Sequence, residues 1–130
     1  MLELMIVVGI VGLLAAIAFP SFMQNVRDSR RTDAHVALTR TSQNLERFFG
    51  SNGTYTVNTA QLGFAGGDAL SDNQDYVITV TAGPSGIGSS YVVTATAAAG
   101  SMQADDPGCT VMTLDSRGRR TPDPNDSNCW

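Results

Sequence analysis

Any chemistry in this 130-residue chain would have to be built from two cysteines, Cys109 and Cys129, one histidine, His35, and a scattering of carboxylates. A hydrolytic triad needs nucleophile, base and orienting acid at one place. A single histidine with no convergent acid–nucleophile motif gives it little footing, and an ordinary surface or packing role for His35 is the better reading. There is no phosphate-binding loop and no zinc-ligand spacing. Asp123-Pro124-Asn125-Asp126-Ser127-Asn128 is rich in oxygen ligands but lacks the glycine and distal glutamate of a calcium loop, so it reads as a solvated turn. Phe19, Phe22, Phe48, Phe49 and Tyr55 could be imagined as an electron path; a helix core stripe explains them better. The expectation is a protein that is not an enzyme, with no cofactor and no metal.

The remaining carboxylate of interest is Glu3, and its interest comes from the element behind it. From Leu4 to Val26 the chain carries no charge, and Leu4 to Phe19 is entirely apolar or glycine. The first fifty residues hold five arginines against four acids, a net of +1; residues 51–130 hold three arginines against eight aspartates, a net of −5. The sum is −4, with no lysine and a pI near 4.6, which makes the chain a poor nucleic-acid binder on bulk electrostatics. It reads as an apolar N-terminal rod, residues 1–26, joined to a small acidic head, residues 27–130.

As a helix, residues 1–22 would span about 33 Å, enough for a bilayer core. A cleaved secretory signal wants positive charge before the apolar stretch, whereas here Glu3 precedes it and Arg27, Arg30 and Arg31 follow. A carboxylate at the membrane border is costly and is a functional candidate by default. The plain alternative is a first-turn acid favoured by the helix dipole in the headgroup layer.

The run Glu3-Leu4-Met5-Ile6-Val7-Val8-Gly9-Ile10-Val11-Gly12-Leu13-Leu14-Ala15-Ala16-Ile17-Ala18-Phe19-Pro20 resembles the N-terminal signature of type IV pilins over about twenty consecutive positions, including the glutamate, a glycine and the proline with its alanine-rich approach. Met1-Leu2 stand where the family has Leu-Ile after its Gly-Phe-Thr, so the prepilin cleavage site and the N-methylated phenylalanine are not read from these residues. The resemblance implies that Glu3 docks on a neighbouring subunit's N-terminal ammonium, and that the helix between Gly12 and Pro20 melts when packed in a filament. Pro20 on its own predicts a kink or local unwinding near residues 12–20. The sequons Asn52-Gly53-Thr54 and Asn125-Asp126-Ser127 are weak evidence for glycosylation in a bacterial protein of this kind.

Beyond Pro20 the pattern turns amphipathic, with Ala34, Leu38, Leu45, Phe48 and Phe49 near three- and four-residue spacing. Gly50-Ser51-Asn52-Gly53 ends the helix with C-cap chemistry. A glycine-rich connection then runs to about residue 73. Strands are expected at 76–81 and 91–96 as a hairpin, at 109–114, and a short one at 119–121. The predicted fold is α+β, a pilin fold: one long N-terminal helix of about residues 1–50, its second half packed on a small antiparallel sheet of about four strands. Cys109 and Cys129 enclose nineteen residues. In an exported chain the pair suggests a disulfide; two free cytosolic thiols fit poorly with the membrane segment. The resemblance agrees, since pilins commonly close a C-terminal loop with one disulfide.

The leading functional reading is a structural subunit of a bacterial type IV pilus, used for adhesion, twitching motility or DNA uptake. Its partners would be copies of itself or other pilins, the inner membrane before assembly, and the pilus assembly machinery; its final location would be an extracellular fimbrium. A pseudopilin of a type II secretion system shares the N-terminal signature, but the cysteine pair argues against it. The third reading is a minor or tip pilin acting as an adhesin or DNA-binding module. Arg117, Arg119 and Arg120 form the head's basic cluster; in an acidic head, pairing with nearby aspartates is the simpler use for them.

Overall fold

A computed structural model describes residues 1–64, 69–125 and 127–130. A single helix, α1 (Leu2–Asn52), runs for 51 residues, about 76 Å at 1.5 Å per residue. It ends where Gly53 takes φ 71°, the left-handed conformation that a Cβ disfavours, and donates its N–H to Phe49 O at 2.7 Å. Pro20 lies inside the helix without interrupting it. The lost Ala16 acceptor bond does not open the helix in the single chain, so the unwinding expected near residues 12–20 is not a property of this conformation.

A four-stranded antiparallel sheet in the order β1-β2-β3-β4 follows: β1 (Tyr76–Ala82), β2 (Tyr91–Ala97), β3 (Val111–Asp115) and β4 (Arg120–Thr121). The third strand starts two residues later than expected, because Cys109 and Thr110 belong to the turn entering it. The Gly-rich connection contains a 3-10 turn, Thr59–Leu62, capped by Asn58, whose side chain accepts from Ala60 N. Within that connection, residues 65–68 lie outside the described residues, as does Asp126 of the C-terminal oxygen-rich run.

Alternation sorts the strands' side chains onto two faces. Tyr76, Ile78, Val80, Tyr91, Val93, Ala95, Met112 and Leu114 are buried. They face α1, which buries Ala34, Leu38, Thr41 and Leu45, four positions at i, i+4, i+7 and i+11. Phe48 packs at the edge of this core, while Phe49 lies at 4.6 Å from the Tyr55 ring. On the opposite face the register aligns Thr79, Thr94, Thr113 and Thr121, one threonine from each strand. Such cross-strand threonine pairs stabilise a solvated sheet face without making it apolar.

Candidate functional site: an exposed apolar rod and the clamp that holds it to the head

Residues 1–22 pack against no other described part of the chain: all are exposed. Ile17 is 74% and Phe19 68% exposed, and Leu4, Ile6, Val7, Ile10, Leu13 and Leu14 are all more than half exposed. This part of the helix is long and apolar enough to cross a membrane, and none of its most apolar 18 residues is buried. Phe19 and Phe22 therefore belong to no core within the chain, contrary to the stripe expected for them. Phe22 and Phe48 are also about 39 Å apart along the helix, which breaks any aromatic path between them. Isolated apolar side chains at a surface are ordinary, but a contiguous band of this size marks an interaction surface.

Glu3 sits in the first turn of this rod. Its carboxylate makes no hydrogen bond or ion pair among the described residues. A Cβ placed on Gly9 or Gly12 would meet nothing within 4 Å, so the chain's own packing does not require these glycines.

The second half of α1 is fixed to the rest of the head by side chains one turn apart. Arg31 Nε and Nη2 donate to the two carboxylate oxygens of Asp106 at 2.7 and 2.6 Å, and Nη1 donates to Asn128 O at 2.9 Å. Its partner is 0% and Arg31 itself 5% exposed. Gln103 extends the network, its amide nitrogen 2.9 Å from Tyr76 Oη and 3.3 Å from Asp106 Oδ2. Hydrogen bonding and the charge of Asp106 hold the Arg31 guanidinium above its already high ordinary pKa, against the effect of burial. Beside it Arg30 pairs with Asp75 at 2.8 Å, and further along Arg40 pairs with Asp72 through two bonds of 2.9 and 3.0 Å.

His35, four residues after Arg31, has its Nε2 2.6 Å from Cys129 O. Its ring stacks on the Trp130 indole at 4.8 Å and 7°, and Arg120 covers Trp130 with its guanidinium carbon 5.1 Å from the ring centroid. Burial, with Arg120 and Arg31 nearby, pushes the imidazole pKa down despite the bond to Cys129 O. Cys129 is joined to Cys109 by a disulfide with Cα atoms 5.5 Å apart. Sequence reasoning gave His35 an ordinary surface or packing role but missed its contact with the C-terminus, and it missed Arg31 and Asp106 altogether. An arginine on the inner face of an otherwise apolar stripe was the available signal.

The basic cluster is divided. Arg119 pairs with Asp115 at 2.7 Å, Arg120 lies on Trp130, and Arg117 is exposed. Burial would raise the Asp115 carboxyl, but the Arg119 and Arg117 backbone N–H groups and the Arg119 guanidinium hold it below its usual range. In the oxygen-rich run Asp123 Oδ1 accepts from Asn125 N and Nδ2, both at 2.9 Å, as in a self-contained turn. Asn52 of the first sequon lies within the last helical turn and donates to Phe48 O.

Comparison with known proteins agrees with this geometry. The family model described as type IV minor pilin ComP, DNA uptake sequence receptor, matches residues 20–113. The type IV major pilin protein PilA of Myxococcus xanthus is 37% identical over 65 residues, covering half of this chain and 30% of that protein. The chain thus spans about a third of that curated relative. A solved type IV pilin from Shewanella oneidensis superposes with a TM-score of 0.54 at 26% identity, over 80% of this chain and 97% of the other.

Proposed function

The chain belongs to the type IV minor pilin ComP family, and from that premise we propose that it is inserted into a pilus by its rod and displays its head on the fibre surface. The observation carrying this reading is the contrast along α1. The helix is packed against the sheet from Arg31 onward and carries an uncovered apolar band before that. Lipid covers such a band before assembly, and the rods of neighbouring subunits cover it afterwards. Leaving lipid gives no hydrophobic gain by itself, so close packing and polar matching must decide the exchange. Glu3 is the polar group available for matching: a buried carboxylate is tolerable with a cationic partner and costly without one. Residues 1–26 then form the inserted segment and residues 27–130 the head, with Gly12 and Pro20 as the points at which the packed helix gives way.

Glu3→Val tests the docking role. The substitution removes the rod's charge and makes membrane residence easier. The expected result is normal membrane-fraction protein with few sheared fibres, and an intermediate yield for Glu3→Asp. Normal fibre yield from Glu3→Val at normal membrane level would overturn the role.

A second reading has its own observation. The matched family's description names a DNA uptake receptor, and Arg117, Arg119 and Arg120 lie in and around one tight turn between β3 and β4. Phosphate contact there would be local, since the head as a whole repels DNA. Retention of duplex DNA by the protein, compared with the triple arginine-to-alanine variant, decides it; equal retention removes these arginines from the reading.

A further inference from the structure

Between the last turns of α1 and the Thr59–Leu62 turn lies an open surface cleft of about 490 Å³, within the about 300–1,000 Å³ range of small-ligand sites. Its walls include Phe48 and Leu62, and its polar rim carries Arg47, Asn52 and Gln61. The chain's own hydrogen bonds leave this rim partly uncommitted. Asn52 uses Nδ2 on Phe48 O at 2.9 Å, leaving Oδ1 without a partner among the described residues. Gln61 accepts from Thr56 Oγ1 at 2.6 Å through Oε1, leaving its NH₂ group likewise unpartnered.

Arg47 is the decisive residue. Arg30, Arg31, Arg40 and Arg119 are each held by an aspartate. Arg47, like Arg27, Arg117 and Arg120, has no carboxylate partner among the described residues, but it is the arginine that lines this cleft, where the neutral Asn44 Oδ1 steadies it. Asn44 is itself fixed by a 2.8 Å bond to Leu62 O. The guanidinium is thus oriented while its charge stays available.

We propose that this cleft binds a carboxylated saccharide of the uronic- or sialic-acid type, with the carboxylate on Arg47, ring hydroxyls on Asn52 and Gln61, and an apolar ring face against Phe48 and Leu62. Paired amides that donate and accept suit hydroxyl groups, which do both. A single oriented arginine suits one carboxylate. A polyanion is disfavoured here, because DNA binding gathers many phosphate contacts, whereas this site offers one uncompensated cation on a head of net charge −3.

The test uses the full chain in detergent micelles, titrated calorimetrically with trigalacturonate and with N-acetylneuraminic acid, and with neutral galactotriose as the uncharged control. At least one acidic probe should bind, and Arg47→Gln should weaken it about tenfold, the scale of one charge-assisted hydrogen bond. Galactotriose should bind about tenfold more weakly and be indifferent to that substitution. Gln61→Leu should cost severalfold. Arg47 is exposed, so the variant should melt with the parent; if it does not, the acidic-against-neutral comparison on the parent chain still decides. No binding of either acidic probe, equal affinity for acidic and neutral sugar, or an unchanged affinity in a folded Arg47→Gln would overturn the proposal. So would duplex oligonucleotide that binds more tightly than either acidic probe and is lost in Arg47→Gln. The inference rests on the head alone, so a failure of Glu3 to direct fibre assembly leaves it untouched.

Discussion

Arg31 and Asp106 are 75 residues apart in sequence and meet in a buried, two-pronged ion pair at 2.6–2.7 Å. The pair sets both the rotation and the register of α1 against the head, because a helix shifted by one residue would carry Arg31 about 100° around its axis, away from Asp106.

Removing one partner should therefore be far worse than removing both. Asp106→Ala is expected to cost about 3–5 kcal/mol, most of it the penalty of an uncompensated buried guanidinium. Combining Arg31→Met with Asp106→Leu should recover a large part of that loss, since a packed apolar pair is often as stable as a buried ionic one. Urea unfolding of the single and double variants checks this. A double variant no more stable than Asp106→Ala would show that the clamp is a network whose other members, Asn128 O and Gln103, need the arginine.

The disulfide acts on the same corner of the molecule. Cys129→Ser or Cys109→Ser should lower head stability by about 2–5 kcal/mol, equally for either substitution. Because Trp130 directly follows Cys129, the tryptophan's near-ultraviolet dichroism should weaken as the stack on His35 loosens. Two reactive thiols titrating in the native protein would contradict the bond.

These contacts explain what could and could not be read from the chain. The rod, the four strands and the helix end were legible because each depends on local pattern: an uncharged run, alternation, and Gly53 where φ turns positive. Phe19 and Phe22 were misread as core because periodicity reports which residues want burial and not what will bury them. Arg31, Asp106 and Gln103 were invisible for a different reason. A buried polar side chain looks like a surface one in sequence, and only the fold brings its partner from 75 residues away. The Arg47 cleft was equally hidden, since it depends on the Thr59–Leu62 turn coming back against the helix.

His35 gives the head a definite dependence on pH. Its folded-state pKa lies below the ordinary 6.5, so as pH falls the unfolded chain takes up the proton first. The stabilisation is complete above pH 6.5 and is lost as the pH falls from there through the lowered folded value. Carboxylates contribute their own losses at lower pH, so the measurement is a difference: urea midpoints from pH 7.5 to pH 5 for the parent and for His35→Phe, which keeps a ring against Trp130. The parent should lose stability faster over that interval. Parallel curves would show that protonation of His35 is not opposed by its surroundings.

The boundary between rod and head makes the last prediction. Val26 and Arg27 mark the change in sequence pattern, and the fully packed part of α1 begins at Arg31. A fragment of residues 27–130 should therefore be a soluble monomer, with its remaining helical stripe covered by the sheet. It should not be as stable as the head in the full chain. Met23 and Val26 are half-buried, and each is worth about 1 kcal/mol at the usual 25 cal/mol per Å². A new ammonium at Arg27 would also face the positive end of the helix dipole, close to Arg30 and Arg31. Gln103 Nε2 lies 3.3 Å from Arg27 O, so fraying of the first turn would reach the buried network. A fragment starting at Phe22 should recover most of this while remaining monomeric, because it adds only Phe22 to the exposed apolar side chains. Size-exclusion chromatography and urea unfolding of the two fragments test both parts. Large oligomers from residues 27–130 under mild conditions would mean that the head exposes more than its structure shows, and that the rod covers it.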